Sequence, residues 1–136
     1  MKNVSAGDTI IFKHKNKWWL LANIDQSGVA DNSCQLHVFS SDSPMSDEWV
    51  AHENNPVIFD PLVARNGGLI LSDNEIYRVF QRQGFDMYGE ACGIARIARL
   101  SSTEYVEEIC SSIEPKFFEK IKGTHTYNFD SDLIAV

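Results

Sequence analysis

The side chains with the most reactive chemistry in this sequence are three cysteines and four histidines. Cys34, Cys92 and Cys110 are widely spaced, form no Cys-x-x-Cys pair and have no histidine at the distance typical of a zinc finger. Because an odd number of cysteines cannot be fully paired within one chain, the pattern predicts a reducing, cytoplasmic location. We expect all three thiols to be buried and to behave as small hydrophobic side chains.

The histidines and glycines form none of the common catalytic or cofactor motifs. His14, His37, His52 and His125 do not have the spacing of metal ligands. The sequence also lacks a Gly-x-Ser-x-Gly nucleophile elbow, a P-loop and a dinucleotide-binding fingerprint. It therefore predicts neither a metal site nor a bound cofactor. The pair Gly67-Gly68 is expected to let a strand begin beside another backbone.

Charge and hydropathy exclude two classes of partner. The 136 residues carry 19 Asp and Glu against 12 Lys and Arg, which gives a net charge of −7, so we expect no nucleic-acid partner. The longest apolar run, 18–22, is too short to span a membrane, and residues 1–20 do not resemble a secretory signal. Four arginines alternate with apolar residues and predict a solvated or glutamate-paired face: Arg78, Arg82, Arg96 and Arg99.

Pairs of strand-like apolar runs joined by short polar turns recur along the chain. The first pair is 8–13 and 18–24, joined by His14-Lys-Asn-Lys17, and its second run is apolar on both faces. Further pairs begin at Gly67 and at Thr124. Units of about four strands that restart roughly every 57 to 60 residues suggest the blades of a β-propeller.

One segment conflicts with an all-β fold. Ser101-Ser-Thr-Glu104 is a capping-box pattern, and the apolar residues that follow it have helical spacing. Local pattern alone therefore leaves residues 103–113 open between a strand and an amphipathic helix. The adjacent acids Glu107 and Glu108 also interrupt any simple strand alternation.

Several stretches in a fixed order make the sequence recognisable. They are 54–60 with 64–68, then 76–83 with Tyr88-Gly89, and then 123–127. Together they resemble the propeller domain at the N-terminus of plant glucosamine inositolphosphorylceramide transferases, and similar segments occur beside bacterial sugar formyltransferases. That domain is similar to the five-bladed propellers of the β-fructosidase and arabinanase type. The resemblance extends from Trp18 over nearly the whole remaining chain.

The resemblance implies an all-β fold, a partial five-bladed β-propeller of about two and a half blades, each an antiparallel four-stranded sheet. The blade-like units of this single domain would be 8–60, 67–113 and 124–136. In the family, the stretch matching 100–105 turns from one blade strand into the next, so we expect a strand over 104–112.

The length of the chain conflicts with a closed ring. A five-bladed ring needs roughly twice this length, and an open one exposes strand edges and apolar faces. We expect either a fragment of a longer protein or a short form that covers these surfaces as a homodimer. The short form is favoured here because the sequence begins with Met1.

The resemblance also implies a ligand pocket near the propeller axis. The residues that match its pocket-facing pattern are Arg65, Asn66, Gln81, Tyr88 and His125. These residue types suit a saccharide or an acidic sugar derivative. Arg binds carboxylate or phosphate, the side-chain amides of Asn and Gln form hydrogen bonds with hydroxyls, and Tyr provides a flat ring with a polar tip. In the alternative, Arg65 and His125 satisfy buried backbone carbonyls where blades meet.

Glycoside hydrolysis would need two or three placed carboxylates. By comparison with glycosidase propellers, the candidates are Asp8 or Asp25, then Asp60, then Glu90. Asp60 precedes Pro61 and is expected to cap a turn. The Trp-Met-Asn-Asp-Pro-Asn-Gly signature of fructosidases and the Arg-Asp-Pro motif are absent from the sequence.

The leading hypothesis is therefore a non-catalytic module that binds a saccharide or another small polar ligand. One alternative is a degenerate glycosidase-like or sugar-transfer enzyme that uses Asp60 and Glu90. Another is a homo-oligomeric assembly module with a vestigial pocket.

Overall fold

The computed structural model describes residues 4–28, 31–87, 89–130 and 133–135, with the backbone alone for 129–130 and 133–135. Strands and turns, but no helix, occur in these ranges, which confirms the all-β fold. It follows that no helix in the described ranges is long and apolar enough to span a membrane. The strands form two antiparallel sheets and a separate two-stranded hairpin.

The first sheet is built around a meander of three long strands. These are β1 (Ala6–His14), β2 (Lys17–Ile24) and β3 (Gln35–Ser41), and two short strands, β4 (Val50–Ala51) and β5 (Ile58–Phe59), both pair with β3. The β1–β2 turn places Lys15 and Asn16 at φ of 47° and 64°. Two consecutive positive φ values are typical of the tight turns whose twist matches a hairpin.

The second sheet has its four strands in sequence order. They are β6 (Asn66–Ser72), β7 (Glu75–Arg82), β8 (Ala91–Leu100) and β9 (Tyr105–Ile113). The hairpin that follows pairs β10 (Asn128–Asp130) with β11 (Leu133–Ala135). The first strands of these units are neighbours, because β1 contacts β6 and β6 contacts β10. This open arrangement of antiparallel sheets is consistent with the partial propeller-like fold that the resemblance implied.

The segment with a helical pattern is strand β9, as the family resemblance predicted. The hydroxyl of Ser101 accepts hydrogen bonds from the backbone N–H groups of Thr103 and Glu104, at 3.2 Å and 2.9 Å. The capping residue therefore stabilises the β8–β9 turn instead of a helix. The two adjacent acids pair with different strands, Glu107 with Arg78 on β7 and Glu108 with Arg96 on β8. Each acid has its own cation, so their adjacency does not oppose a strand.

The main hydrophobic core lies between the two sheets. Phe12, Trp19 and Leu21 of the first sheet share a cluster with Ile76 and Ile97 of the second. A second cluster, on the other face of β2, joins alternate β2 residues to Phe39 and to the half-buried Trp49. β2 is therefore buried on both faces, as its apolar pattern predicts.

The four arginines expected on a solvated or glutamate-paired face all pair with glutamate. Arg78 is not solvated, however, because none of its surface is exposed. Its guanidinium also donates to the backbone carbonyls of Val63 and Ala64. These carbonyls lie in the segment between the sheets, so Arg78 fastens that segment to the second sheet.

The cysteines differ in their surroundings. Cys92 is buried, as expected, whereas Cys34 is half-buried and Cys110 is exposed. The expectation of three buried thiols was therefore confirmed for Cys92 and wrong for Cys34 and Cys110. The strand of Cys110, β9, is the edge of the second sheet and pairs only with β8 in the described residues. Burial raises the pKa of the Cys92 thiol to about 11, and the charge of Glu114 adds to the shift.

Candidate functional site

Four of the five residues that the family resemblance assigned to a pocket lie near the points where β1 and β6 begin, together with Asp8. We call Asp8, Arg65, Asn66, Gln81 and His125 the strand-start cluster. Its members come from β1, the segment before β6, β6 itself, the end of β7 and the segment before β10. Tyr88, the remaining predicted member, lies outside the described residues. The fold thus brings together side chains that are far apart in sequence.

An ion pair at the surface of the cluster joins two of these elements. Arg65 Nε lies 2.8 Å from Asp8 Oδ2, and the two side chains are 18% and 29% exposed. Asp8 has a φ of 45° within the irregular stretch of β1 between Gly7 and Ile10. A partly exposed guanidinium beside a carboxylate offers both donors and acceptors to a polar ligand. In this contact the Arg65 guanidinium binds a carboxylate, whereas the alternative prediction was a backbone carbonyl.

The side chain of Asn66 has a structural role. Its side chain is buried, and its amide donates to the backbone carbonyls of Asp8 and Leu21, at 2.8 Å and 3.3 Å. Its Oδ1 accepts from Arg78 at 3.4 Å. Its backbone N–H donates to Asn23 Oδ1 at 2.8 Å. Since both amide hydrogens are used by the protein, Asn66 positions β6 against β1 and β2.

Gln81 brings a buried polar atom to the cluster. Its residue is 2% exposed, and its Nε2 donates to the backbone carbonyl of Asn66. Its Oε1 is also buried and has no hydrogen-bond partner among the described residues. Leaving a buried acceptor unpaired costs about 1–3 kcal/mol. The position of Gln81 is fixed by its backbone N–H, which donates to the Arg65 carbonyl at 2.8 Å.

His125 is exposed and lies on a segment packed against three glycines. The Thr124 N–H donates to the Gly89 carbonyl at 2.9 Å, and the Tyr127 N–H donates to the Gly67 carbonyl at 3.2 Å. A Cβ added to Gly89 would lie 2.7 Å from the Cβ of His125. The predicted role of Gly67-Gly68 in letting a strand begin beside another backbone is therefore confirmed.

The candidate catalytic carboxylates are held by separate neighbours. Asp60 Oδ1 accepts from the Leu62 N–H at 2.9 Å and caps a turn, as its position before Pro61 predicts. Glu90 Oε2 lies 3.3 Å from Arg82 Nε. The two acids therefore have different partners, and within the described residues no group of three His, Cys, Asp or Glu side chains could hold a metal ion.

Comparison with known proteins decides the family. The family model described as "Glucosamine inositolphosphorylceramide transferase 1, N-terminal" matches residues 3–131. The chain belongs to this family. It is 33% identical over 129 residues to glucosamine inositolphosphorylceramide transferase 1 of Arabidopsis thaliana, which covers 90% of this chain and 17% of the relative. It is 31% identical over 104 residues to the protein of the same name from Oryza sativa subsp. japonica, covering 74% of this chain and 14% of the relative. No solved structure matches the chain.

Most of the segments that carry the family resemblance are joined by backbone hydrogen bonds. The amide of Asn55, in the first segment, exchanges hydrogen bonds with the backbone of Val38 at 2.8 Å. Gln81 and Arg65 are joined through their backbones, and so are Tyr127 and Gly67. The second and third segments therefore meet at the strand-start cluster, whereas the first segment supports β3 of the first sheet. The match spans about a sixth of the relatives' length.

Sequence reasoning did not predict the contacts of the two early acids, Asp8 and Asp25. Asp8 was considered only as a catalytic acid, whereas it pairs with Arg65, 57 residues away. Asp8 and Asp25, the alternative early acids, differ in role, because Asp25 Oδ1 accepts from the Ser27 N–H in a local turn. No local pattern signals the Asp8–Arg65 pair. Its only indication is that β1 and β6 begin two units of the same repeat.

Proposed function

We propose that this protein is a non-catalytic saccharide-binding module that serves sugar transfer, with its ligand at the strand-start cluster. The observation that carries the proposal is the partly exposed Arg65–Asp8 pair in a member of a family named for a sugar transferase. The relatives' name contains glucosamine, and an amino sugar presents hydroxyls together with a cationic amine. Because the pair supplies both signs of charge, it suits such a ligand.

The pair is preorganised for binding. Arg65 is held by its bond to Asp8, and its backbone carbonyl is held by the Gln81 N–H. A ligand that binds here meets side chains whose conformational entropy is already restricted, which lowers the cost of association. The unpaired Oε1 of Gln81 supports the same proposal, since a hydroxyl donor would satisfy it.

The proposal is non-catalytic because the candidate acids already have structural tasks. Asp60 caps a turn and Glu90 pairs with Arg82. A glycosidase needs one protonated and one ionised carboxyl flanking the same bond. The contacts of Asp60 and Glu90 do not join them into such a pair.

Self-association is the second candidate function, and the exposed edge strand β9 favours it. Ile109 on this strand is 67% exposed and Cys110 is exposed as well. An edge strand with exposed apolar residues is a template for pairing with another chain. Light scattering after size-exclusion chromatography would give about twice 15.4 kDa for a dimer, and a mass of 15.4 kDa would exclude it.

The saccharide proposal is tested by titrating the whole chain with glucosamine, N-acetylglucosamine, glucuronate and inositol while recording amide NMR spectra. We expect one of these probes to shift signals of residues 8, 65 and 81. Arg65→Gln should weaken its binding roughly tenfold, since hydrogen bonds to charged groups contribute about 1.5–3 kcal/mol.

Arg99→Gln is the matched control. Arg99 is exposed and pairs with Glu104, so the same chemical change occurs away from the cluster. Its binding should equal that of the wild type, and thermal unfolding should show that both variants are folded. Binding of no probe, or equal binding by the Arg65→Gln variant, would overturn the proposal.

A further inference from the structure

The three lysines beside the β1–β2 turn differ from the arginines of this chain. All five arginines form an ion pair with a carboxylate. Lys13, Lys15 and Lys17 are exposed and have no carboxylate partner within ion-pair distance among the described residues. In a chain of net charge −7, this is a basic patch without ion pairs, although Asp73 and Glu75 line one cleft together with Lys13 and Lys15. A cluster of exposed cations on an acidic protein attracts anions to one place.

A niche lies directly under this turn. Its volume is about 240 Å³, and it is lined by His14, Lys15 and Lys17 from the hairpin and by Ser101 and Ser102 from the β8–β9 turn. His14 and Lys17 are directly opposite each other in the β1–β2 register, so their side chains lie on the same face. Trp19 and Leu100 complete the lining.

The niche has no acidic side chain in its lining. Two acids, Glu75 and Glu104, line the adjoining cleft, and both are paired with arginine: Glu75 Oε2 lies 3.2 Å from Arg96 Nη1 and Glu104 Oε1 lies 3.0 Å from Arg99 Nε. Ser102 also lines the niche, and its hydroxyl can donate a hydrogen bond. The polar groups of the niche are therefore two ammonium groups, an imidazole and serine hydroxyls, set in a mainly apolar lining that contains no carboxylate of its own.

We propose that this niche binds the phosphate group of a phosphate ester, at a site separate from the strand-start cluster. Lysine acts on phosphate as a point charge, whereas a planar carboxylate is matched better by the fork of arginine. The cations of the niche are lysines, and the nearby arginines Arg96 and Arg99 are already paired. The lining thus favours a tetrahedral dianion.

The rest of the ester has a place beside the niche. A cleft of about 390 Å³ shares His14, Lys15 and Ser101 with it and extends to Asn74 and Arg96. This cleft is lined mainly by polar groups, which suits a hydroxylated organic portion. The turn that carries Lys15 is a tight hairpin turn, since Lys15 and Asn16 both have a positive φ.

The test is an amide NMR titration of the whole chain at low salt with glucose 6-phosphate, and with glucose as the unphosphorylated comparison. We expect the phosphate ester, and not glucose, to shift signals of residues 14–17 and 101–102. Binding should weaken as salt is added, because the lysines are solvent-exposed. The double variant Lys15→Gln/Lys17→Gln should weaken binding roughly tenfold or more.

The matched control is Lys116→Gln/Lys122→Gln, which changes the net charge equally at exposed lysines of another segment. It should bind the ester as the wild type does. Vesicles of phosphatidylcholine with and without phosphatidylinositol phosphate form a second arm. Sedimentation that depends on the phosphorylated lipid and on Lys15 and Lys17 assigns the ester to a lipid headgroup, and binding of the soluble ester alone assigns it to a free metabolite. Equal weakening in both double variants, shifts confined to other residues, or binding in neither arm overturns the proposal.

Discussion

Arg78 and Glu107 form a two-point ion pair across an intervening strand. Arg78 Nε lies 2.6 Å from Glu107 Oε1, and its Nη2 lies 2.8 Å from Oε2. The two residues are on β7 and β9, and on the strand β8 between them Arg78 pairs with Ala95 and Glu107 pairs with Ile97. Because Ala95 has a minimal side chain, the guanidinium can reach across it. Burial alone would lower the pKa of Arg78, but the charge and hydrogen bonds of Glu107 raise it above its ordinary value.

Removing one partner of this pair should be strongly destabilising. Arg78→Met leaves the nearly buried Glu107 carboxylate without its cation, and the loss of one partner of a buried pair costs about 3–5 kcal/mol. Urea denaturation measures the change in the free energy of unfolding. Arg99→Gln, in an exposed pair with Glu104, is the control and should cost about 0–1 kcal/mol. Equal losses in the two variants would show that the Arg78 pair is not a buried structural interaction.

The three thiols should react at distinct rates. In the native protein, Ellman's reagent should modify the exposed Cys110 fast and the half-buried Cys34 more slowly. Cys92 should react only after denaturation, because it is buried and its pKa of about 11 leaves little thiolate at neutral pH. Cys110→Ser should remove the fast phase and leave the other two. A fast phase that persists in this variant would contradict the placement of Cys110 on an open strand edge.

Much of the fold could be predicted because alternation is local. The apolar residues on both faces of β2 indicate a strand covered on both sides, and both faces are buried. The segment 103–113 shows the limit of this reasoning. Ser101 does accept a hydrogen bond from the Glu104 N–H, as in a capping box, but it does so within a turn. Pairing with β8 overrides the helical spacing of the residues that follow. Family resemblance, not local pattern, predicted that strand.

The candidate site was less predictable because its contacts are between distant residues. Asn66 was expected to face a ligand, yet its amide is used by the backbone of β1 and β2. The buried Arg78 pairs with the small Ala95 on the adjacent strand, which no periodicity reveals. The lysines at 13, 15 and 17 are visible in the sequence, but their lack of acidic partners is a property of the folded chain alone.

Gly68 should tolerate no side chain. Its φ is 151°, and an added Cβ would lie 2.2 Å from the carbonyl oxygen of Tyr127. Gly28 also has a positive φ, 81°, but no atom of the described residues lies within 4 Å of its added Cβ. Gly28→Ala therefore incurs backbone strain alone, about 1–2 kcal/mol. Gly68→Ala should cost more, and it should speed hydrogen exchange at the Tyr127 N–H, which bonds to Gly67. Equal effects of the two substitutions would show that the segment before β10 does not pack on Gly68.

The stability of the fold should decrease in mildly acidic solution. His37 is 2% exposed, lies with its Nε2 3.2 Å from Gln35 Oε1, and stacks on Phe39. Burial lowers its pKa below the ordinary value of 6.5, so the folded state binds the proton more weakly than the unfolded chain does. The stabilising contribution is therefore complete above pH 6.5 and is lost as the pH falls below it towards the folded-state pKa.

His14 contributes in the same direction, since burial and the charge of Lys15 lower its pKa as well. The free energy of unfolding, measured by urea denaturation, should fall between about pH 7.5 and pH 5. His37→Gln should reduce this slope, and His14→Gln/His37→Gln should reduce it further. Ser102→Ala removes no titratable group and should retain the wild-type slope. Because a substitution at a buried site also lowers stability at every pH, the slope is the decisive quantity. A double variant with an unchanged slope would show that neither imidazole is held in its neutral form by the fold.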